Sequence, residues 1–237
     1  MRALCAIAWR EYASMFRIPL GWVVVALFVC LSSFFFTKAL TPGSPATLRD
    51  VFLTWWFLLM FLCPAVSMRL FSEELRSGTI ETALTSPSGD AVLVIGKYLA
   101  AVLFLATMLV PTLVYVAVLG ALSRPDYGPI VSGYSGLLLL GMLYLAVGTL
   151  ASACTSSQTL AFLGTLFVLL LLDLVPGMIA PRLPEQIAKL AFEFSPSLRA
   201  ADFYRGLIDT AHITFFLAAS VWFLMLATVV LQSRRWR

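Results

Sequence analysis

The chain has 237 residues, of which 61% are hydrophobic and 12% carry a charge. Soluble domains are about 45–50% apolar, so this composition excludes a soluble protein. A net charge of +4 is ordinary for a membrane protein and does not indicate a nucleic-acid partner. The lipid bilayer is therefore the expected surrounding of most of the chain.

Six segments are long and apolar enough to cross a membrane, which takes about 20 residues of helix. Lipid offers exposed backbone no hydrogen-bond partner, so the alternatives are helices or a closed barrel. Barrel strands alternate apolar and polar residues, whereas these segments are continuously apolar. We therefore predict an all-α membrane protein that forms a single transmembrane domain over residues 1–237. The predicted spans cover about residues 19–37, 51–68, 98–122, 130–153, 159–180 and 212–232.

The distribution of basic residues predicts the orientation of these spans. With six spans both termini lie on one side, which holds nine Lys and Arg residues against seven on the other. Four of those seven lie in the long fifth connection, residues 181–211, and without it the comparison is nine against three. Because basic residues accumulate in cytoplasmic loops, we predict that both termini are cytoplasmic.

Residues 2–17 are predicted to form an amphipathic helix that lies on the membrane surface, since aromatic residues beside basic ones suit the boundary with water. The alternative is a cytoplasmic extension of span one. On a helical wheel one face carries Leu4, Cys5, Ala8, Trp9, Tyr12, Met15 and Phe16. The other face carries Arg10, Glu11, Ser14 and Arg17, and Ile7 alone falls outside this division. The candidate interfacial residues are Trp9, Arg10, Glu11 and Phe16.

The least hydrophobic stretch, residues 70–87, lies between spans two and three and is called here the polar segment. Five charged residues fall between Arg69 and Glu81. Gly78 is expected to separate two short helices, and Thr79 can cap the second. A helix–turn–helix at this cytoplasmic face would present acidic side chains to basic residues of a soluble partner. Those side chains are Glu73, Glu74 and Glu81. The plainer alternative is a solvated loop.

Proline and polar residues modify spans two and three. Pro64 predicts a bend near the inner end of span two, and Pro111 predicts a kink within span three. Asp90 is expected to cap the helix that becomes span three. Lys97 is expected to extend its ammonium group toward cytoplasmic water. An aromatic belt at the outer end of span two is predicted from Trp55 and Trp56.

Asp173 lies within an apolar segment, where an acidic residue costs about 2.5–3.5 kcal/mol at mid-bilayer and indicates a function. It lies fifteen residues after Gln158, about 22 Å along a helix, which places it toward the outer boundary. The dipeptide Pro176-Gly177 is expected to end the helix. Two interpretations remain: a boundary residue paired with Arg182, or a residue of the transport pathway.

The fifth connection, residues 181–211, is the longest outer segment. Apolar residues recur in it at helical spacing between Leu183 and Phe194. We predict a short outer helix there, which lies on the membrane surface or dips partly into it.

Nucleotide and metal sites are not expected. Gly96-Lys97 lacks the glycine spacing of a phosphate loop and the Ser or Thr that comes after its lysine. The single histidine, His212, cannot form a metal cluster, and no pair of cysteines has metal or redox spacing. We expect the cysteines to be small buried hydrophobes. They are Cys5, Cys30, Cys63 and Cys154.

The order of motifs resembles the permease subunits of ABC type-2 transporters, and most closely the branch that contains the gliding-motility permeases. The most specific part is Glu73-Glu74 followed by Gly78-Thr79 and Glu81 in the polar segment. Weaker matches occur in the right order over nearly the whole chain. They are Arg10-Glu11-Tyr12, Phe16, Pro19, Pro64, Met68-Arg69, Phe71, Leu84, Pro87, Gly96-Lys97, Asp126-Tyr127-Gly128, Gly133–Leu137, Ser152, Gln158, Ser195-Pro196, Phe203, Arg205–Asp209 and Arg234–Trp236.

The resemblance implies half of an exporter in a bacterial inner membrane. Two permease subunits would form the pathway, and two copies of a separate ATPase would bind ATP and Mg²⁺ and dock on the polar segment. This chain would bind no cofactor and would not be an enzyme. The residues that would transmit ATP-driven motion are Glu73, Glu74, Gly78, Thr79 and Glu81.

Other functions are also compatible with the sequence. The chain could be a non-transporting membrane component that moves an extracytoplasmic partner, as in motility or assembly machinery. An independent channel or secondary carrier fits less well, because the spans lack paired charges and no half-to-half repeat is visible. Homodimer and heterodimer, with or without an extracytoplasmic accessory protein, are all compatible with the sequence.

Overall fold

The computed structural model describes residues 2–40, 47–80, 89–123, 125–179, 184 and 193–234. The helices in chain order are α1 (Arg2–Arg17), α2 (Pro19–Ala39), α3 (Arg49–Ser67), α4 (Ser72–Ser77), α5 (Asp90–Leu109), α6 (Leu113–Leu122), α7 (Tyr127–Cys154), α8 (Gln158–Ile179), α9 (Pro196–Tyr204) and α10 (Thr210–Arg234). A 3₁₀ turn at Val110–Thr112 joins α5 to α6, which together form span three.

Within these described ranges, six helical segments are long and apolar enough to cross a membrane. They are Pro19–Ala39, Arg49–Ser77, Asp90–Leu122, Tyr127–Cys154, Gln158–Pro176 and Thr210–Arg234. Each corresponds to one predicted span, and the same ranges contain no strand. The prediction of an all-α membrane protein with six spans is confirmed.

The 28-residue helix α7 is the centre of the bundle, with α3, α8, α9 and α10 packed around it. Small residues on α7 permit this close approach, as is usual where helices associate in lipid. At Gly133 an added Cβ would lie within the space of the Phe52 ring, and at Gly148 it would overlap the Ser67 hydroxyl. Trp55 of α3 is fully buried in this core, so its assignment to an aromatic belt is wrong.

The prolines within the spans affect their helices partly as predicted and partly in an unexpected way. Pro111 interrupts span three as predicted, since the chain takes a 3₁₀ turn there. Pro64 lies inside α3, near its C-terminal end. Pro176 lies inside α8, which continues to Ile179, so the prediction that the helix ends at this proline is wrong. Neighbouring helices can accommodate a proline within a membrane helix, which a rule drawn from soluble proteins does not anticipate.

The start of α5 also differs by one residue from the prediction. The N-cap is Gly89, which has no side chain to accept a capping hydrogen bond, and Asp90 is the first residue of the helix. A carboxylate in the first turn still favours the helix, because it lies at the positive end of the helix dipole.

Helix α1 spans residues 2–17 as predicted, and it packs along α5. The helical-wheel projection assigned the two faces of α1 incorrectly. Ile7 reaches into the space above Gly96, where an added Cβ would lie 2.8 Å from its Cγ2 atom. Glu11 also faces α5, whereas Trp9 is 67% exposed. A protein helix, rather than water alone, therefore lies beside the polar face of α1.

Three of the four cysteines contradict the prediction of burial. Cys63 is buried, but Cys5, Cys30 and Cys154 are exposed on the surfaces of their helices. In a membrane protein a helix surface can be as apolar as a core, so an apolar sequence context does not predict burial inside the protein.

The fifth connection contains α9, which is inserted among the spans. The helix predicted between Leu183 and Phe194 lies almost entirely outside the described residues, and α9 comes after it in the chain. Phe203 of α9 is fully buried against Gly136 of α7. The Ser132 hydroxyl of α7 donates a hydrogen bond to the Phe203 carbonyl over 2.7 Å. This segment is thus part of the core of the bundle.

His212 connects α9 to α10. Its Nδ1 atom lies 3.1 Å from a guanidinium nitrogen of Arg199, and its Nε2 atom lies 3.1 Å from Oδ2 of Asp202. A guanidinium group can only donate, so Nδ1 must accept and Nε2 must carry the proton. This side chain therefore ties the start of α10 to Arg199 and Asp202 of α9.

The close crossing of α3 and α7 leads to a stability prediction. Gly148→Ala should lower the free energy of unfolding by about 1–3 kcal/mol, because the new methyl group displaces Ser67 from its position against Cys63. Gly164→Ala on α8 is the matched control, since nothing lies within 4 Å of its added Cβ. It should be neutral or slightly stabilising. Denaturant titration in detergent micelles checks both, and equal effects would contradict the packing described.

Candidate functional site

The polar segment begins with a tight turn at the end of span two. The chain leaves α3 at Ser67 and enters α4 at Ser72, and Met68 to Phe71 make the turn. Backbone N–H groups at a helix start need acceptors, because no helical carbonyl reaches them. Here the acceptor comes from α7: Ser152 Oγ receives the N–H of Phe71 over 3.0 Å and that of Ser72 over 3.1 Å.

The same serine completes the attachment of this turn. Its hydroxyl donates to the carbonyl oxygen of Met68 over 3.1 Å. Ser152 itself is fully buried. One side chain on α7 therefore holds both the carbonyl and the amide groups of the turn, which fixes the start of α4 to the central helix.

Lys97 of α5 holds the polar segment from the other side. Its side chain is 2% exposed, and its ammonium group donates to the Leu70 carbonyl and to Glu74 Oε1, each over 2.7 Å. Glu11 of α1 lies 3.6 Å away on a third side. The centre of the Phe71 ring lies 5.2 Å from the ammonium nitrogen. We call Glu11, Glu74 and Lys97 the charged cluster.

The charged cluster joins three separate parts of the chain because Lys97 is buried. A buried ammonium group is costly unless it is paired and its N–H groups all find acceptors. The ammonium group donates hydrogen bonds to Leu70 and Glu74, and Glu11 adds a second carboxylate as an ion-pair partner at 3.6 Å. Displacing α4 or α1 would leave a buried charge without one of them. The relative positions of these three helices are therefore linked.

A second ion pair lies next to the charged cluster but is of a different kind. Arg69 donates to both carboxylate oxygens of Glu73, with contacts between 2.8 and 3.1 Å. The Glu73 side chain is 51% exposed, so water screens the pair and its contribution is small. The pair directs the exposed Glu73 side chain back toward Arg69.

The predicted coupling residues lie on or just after α4, with one exception. Gly78 ends α4 with a φ of 74°, a left-handed conformation that favours glycine and separates α4 from the residues after it, as predicted. Glu73, Gly78 and Thr79 are exposed, and Glu74 is partly buried against Lys97. Glu81 lies outside the described residues, as does nearly all of the predicted second helix.

The positions of two residues of the charged cluster differ from the predictions. Lys97 does not extend to water, because its ammonium group is buried and donates to two acceptors inside the protein. Glu74 is not simply presented to a soluble partner, since its Oε1 atom is bonded within the chain. The predicted interfacial residue Glu11 likewise faces Lys97, while Trp9 and Arg10 are exposed and Phe16 is partly buried.

Asp173 occupies a separate polar site at the opposite end of the bundle. It is 3% exposed and accepts hydrogen bonds from the Tyr144 hydroxyl and, over 2.8 Å, from the backbone N–H of Ser197 in α9. Trp56 donates to the same Tyr144 oxygen over 2.9 Å. The predicted partner Arg182 lies outside the described residues. Asp173 thus fastens α9 to α7 and α8.

Tyr204 lies near this second site and forms part of its surroundings. It stacks on Phe52 with ring centroids 5.6 Å apart, and it is almost fully buried. Burial raises the pKa of the Tyr204 phenol, so the group stays neutral. Its hydroxyl has no hydrogen-bond partner among the described residues.

Sequence reasoning missed Ser152, Tyr144 and Trp56 as members of these sites. Each is a polar side chain within a span, which is a signal that the residue needs a partner. The Tyr144 hydroxyl bonds to a residue 29 positions later and to one 88 positions earlier, so the sequence pattern does not identify the partners. Ser152 has a place in the motif order, but the sequence assigns it no role.

The charged cluster leads to a prediction on stability. Lys97→Met should lower the free energy of unfolding by about 3–5 kcal/mol, because Glu74 is left partly buried without its counter-charge. Arg69→Met, which removes the exposed pair, is the control and should cost less than about 1 kcal/mol. In a double-mutant cycle, Glu74→Gln should cost less in the Lys97→Met background than in the native chain. Equal losses of unfolding free energy in Lys97→Met and Arg69→Met would contradict the burial of Lys97.

A family model described as ABC-2 family transporter protein matches residues 54–234, which is more than half of the chain. The comparison with curated proteins finds no match. The matched region includes the polar segment, Lys97, Ser152 and Asp173. It confirms the resemblance at the level of the family, although not the gliding-motility branch. The chain therefore belongs to the ABC-2 transporter family, as a multi-pass membrane permease of the ABC type.

Proposed function

We propose that the chain is the membrane subunit of an ATP-driven exporter in a bacterial inner membrane. Permeases of this family generally work with an ABC ATPase subunit. In this proposal two copies of the ATPase hold ATP and Mg²⁺, and this chain binds neither. A second permease subunit, identical or different, completes the pathway. The observation that carries the proposal is the buried pair of Glu74 and Lys97, which joins the polar segment to span three.

The exposed surface of the polar segment is the proposed docking site of the ATPase. Glu73, Arg76, Gly78 and Thr79 are exposed there. Glu73, which is paired with Arg69, presents an acidic group at this surface. A basic patch on the ATPase would complement it.

The attachments of α4 support a mechanism for coupling. When two ATPase subunits close on ATP, they would displace α4. Because Ser152 binds the start of α4 and Lys97 binds Glu74, the displacement would pass to α7 and α5 together. Glu11 would draw α1 along with them. These residues transmit motion and take part in no bond-making step.

The proposed coupling role leads to a test with Glu81→Arg. The tagged chain is purified from native membranes in mild detergent, and ATP hydrolysis by the co-purified subunit is measured. The charge reversal should lower hydrolysis stimulated by this chain at least about tenfold, since like charges would meet at the docking surface. The protein level in the membrane should not change.

Asp50→Arg is the matched control, because Asp50 is an exposed acid at the opposite end of α3. It should leave hydrolysis unchanged. Normal transport by the Glu81→Arg variant would refute the coupling assignment. Recovery of the chain without an ATPase, even after cross-linking, would favour a channel or carrier. An ATPase together with an extracytoplasmic partner, but no transport, would favour the mechanical alternative.

The proposed orientation leads to a labelling prediction. In a variant without native cysteines, Arg76→Cys should react with an impermeant maleimide only after the membrane of spheroplasts is permeabilised. Leu207→Cys, at the opposite end and 60% exposed, should react in intact spheroplasts. The reverse pattern would show that the termini lie outside.

A further inference from the structure

A cavity of about 200 Å³ lies beside the charged cluster, between α1, α2, α3 and α5. One part of its wall is apolar, with Ile18, Val24, Val66 and Phe104 among the lining residues. The other part is charged and includes Glu11, Arg69, Glu73, Glu74 and Lys97. A cavity with one apolar wall and one charged wall suits an amphiphile whose headgroup lies at the level of α4.

The charges that line the cavity decide which headgroup fits. The lining contains three carboxylates and two cations. Lys97 already donates to the Leu70 carbonyl and to Glu74 and forms an ion pair with Glu11, and Arg69 is bonded to both oxygens of Glu73. By contrast, Oε2 of Glu74 is buried and has no hydrogen-bond partner among the described residues. The site therefore has acceptors in excess and lacks a positively charged donor.

An unsatisfied carboxylate oxygen in a buried position is costly, and a primary ammonium group is the donor that would satisfy it best. A quaternary ammonium group has a positive charge but no N–H, so it cannot donate. An anionic headgroup would add a fourth negative charge beside cations that are already paired. Among amphiphiles, these conditions favour one with a primary amine.

We propose that this cavity binds the headgroup of one molecule of phosphatidylethanolamine, with its ammonium group at the carboxylates of Glu74 and Glu11 and its chains leaving along the apolar wall. The bound lipid would then bridge α1, α3 and α4, which lie around the charged cluster. This site belongs to the single chain and needs neither the ATPase nor a transported substrate.

The test compares lipids on the native protein, so it does not depend on any variant folding. Purified chain is stripped of lipid in detergent, and binding is measured by native mass spectrometry. The probes are dioleoyl lipids with ethanolamine, N-methylated ethanolamine, choline and glycerol headgroups. Phosphatidylethanolamine should bind about tenfold more tightly than the choline and glycerol lipids, as expected for one charge-assisted hydrogen bond. Affinity should fall as methyl groups replace the N–H donors.

Two variants locate the site, and a third is a control. Val66→Phe fills the apolar wall and should reduce binding of phosphatidylethanolamine to the level of the choline lipid. Glu74→Gln should remove the preference for the primary amine. Val23→Phe, on a residue of α2 that is 58% exposed, adds the same bulk outside the cavity and should change nothing.

Several outcomes would overturn the proposal. Equal binding of all four lipids would indicate non-specific association with the apolar surface. Tighter binding of the glycerol lipid would mean that the cations, rather than the carboxylates, determine recognition. An unchanged preference in Val66→Phe would place the lipid elsewhere. Binding of dodecylammonium without binding of phosphatidylethanolamine would mean that the site takes a free amine rather than a membrane lipid.

Discussion

Lys97 carries a positive charge in a place that water scarcely reaches, and the arrangement of the α4 end of the bundle depends on how that charge is satisfied. The ammonium group needs acceptors on three sides. It donates hydrogen bonds to the Leu70 carbonyl, in the turn before α4, and to Glu74 of α4, and it forms an ion pair with Glu11 of α1. Because a buried charge tolerates little displacement of its partners, these elements have defined positions relative to span three.

The central helix α7 determines the rest of the architecture in a different way. In lipid there is little hydrophobic gain from bringing two helices together, so close packing and hydrogen bonds must hold them. Gly148 provides close packing by giving the Ser67 side chain room. Ser152, one turn later, provides hydrogen bonds to the turn that leads into α4. The polar segment is thus held by packing and by polar contacts on the same helix.

The opposite end of α7 has contacts of a corresponding kind with α9. Ser132 binds the Phe203 carbonyl, and Gly136 gives the Phe203 ring room. Ser132 and Ser152 are twenty residues apart, or about 30 Å along the helix. One helix therefore contacts both the polar segment and the segment between spans five and six. Through α7, a displacement of α4 would also displace α9. This is a physical basis for proposing that motion is transmitted over a long range in this subunit. The buried acids at the two ends differ in their partners, because Glu74 at the α4 end contacts the ammonium group of Lys97, whereas Asp173 at the α9 end contacts a phenol and a backbone amide.

The sequence by itself determined the class of fold, because length and hydropathy are local properties and membrane helices need little else. It also located α1, the break at Gly78 and the interruption at Pro111, each of which depends on residues next to one another. Tertiary structure decided the rest, since the roles depend on which helix lies beside which. Lys97, expected in water, is buried because Glu74 and Leu70, over twenty positions earlier, lie within its reach. Ser152 gains its role from a turn some eighty residues away, a contact that only the packing of α3 on α7 creates.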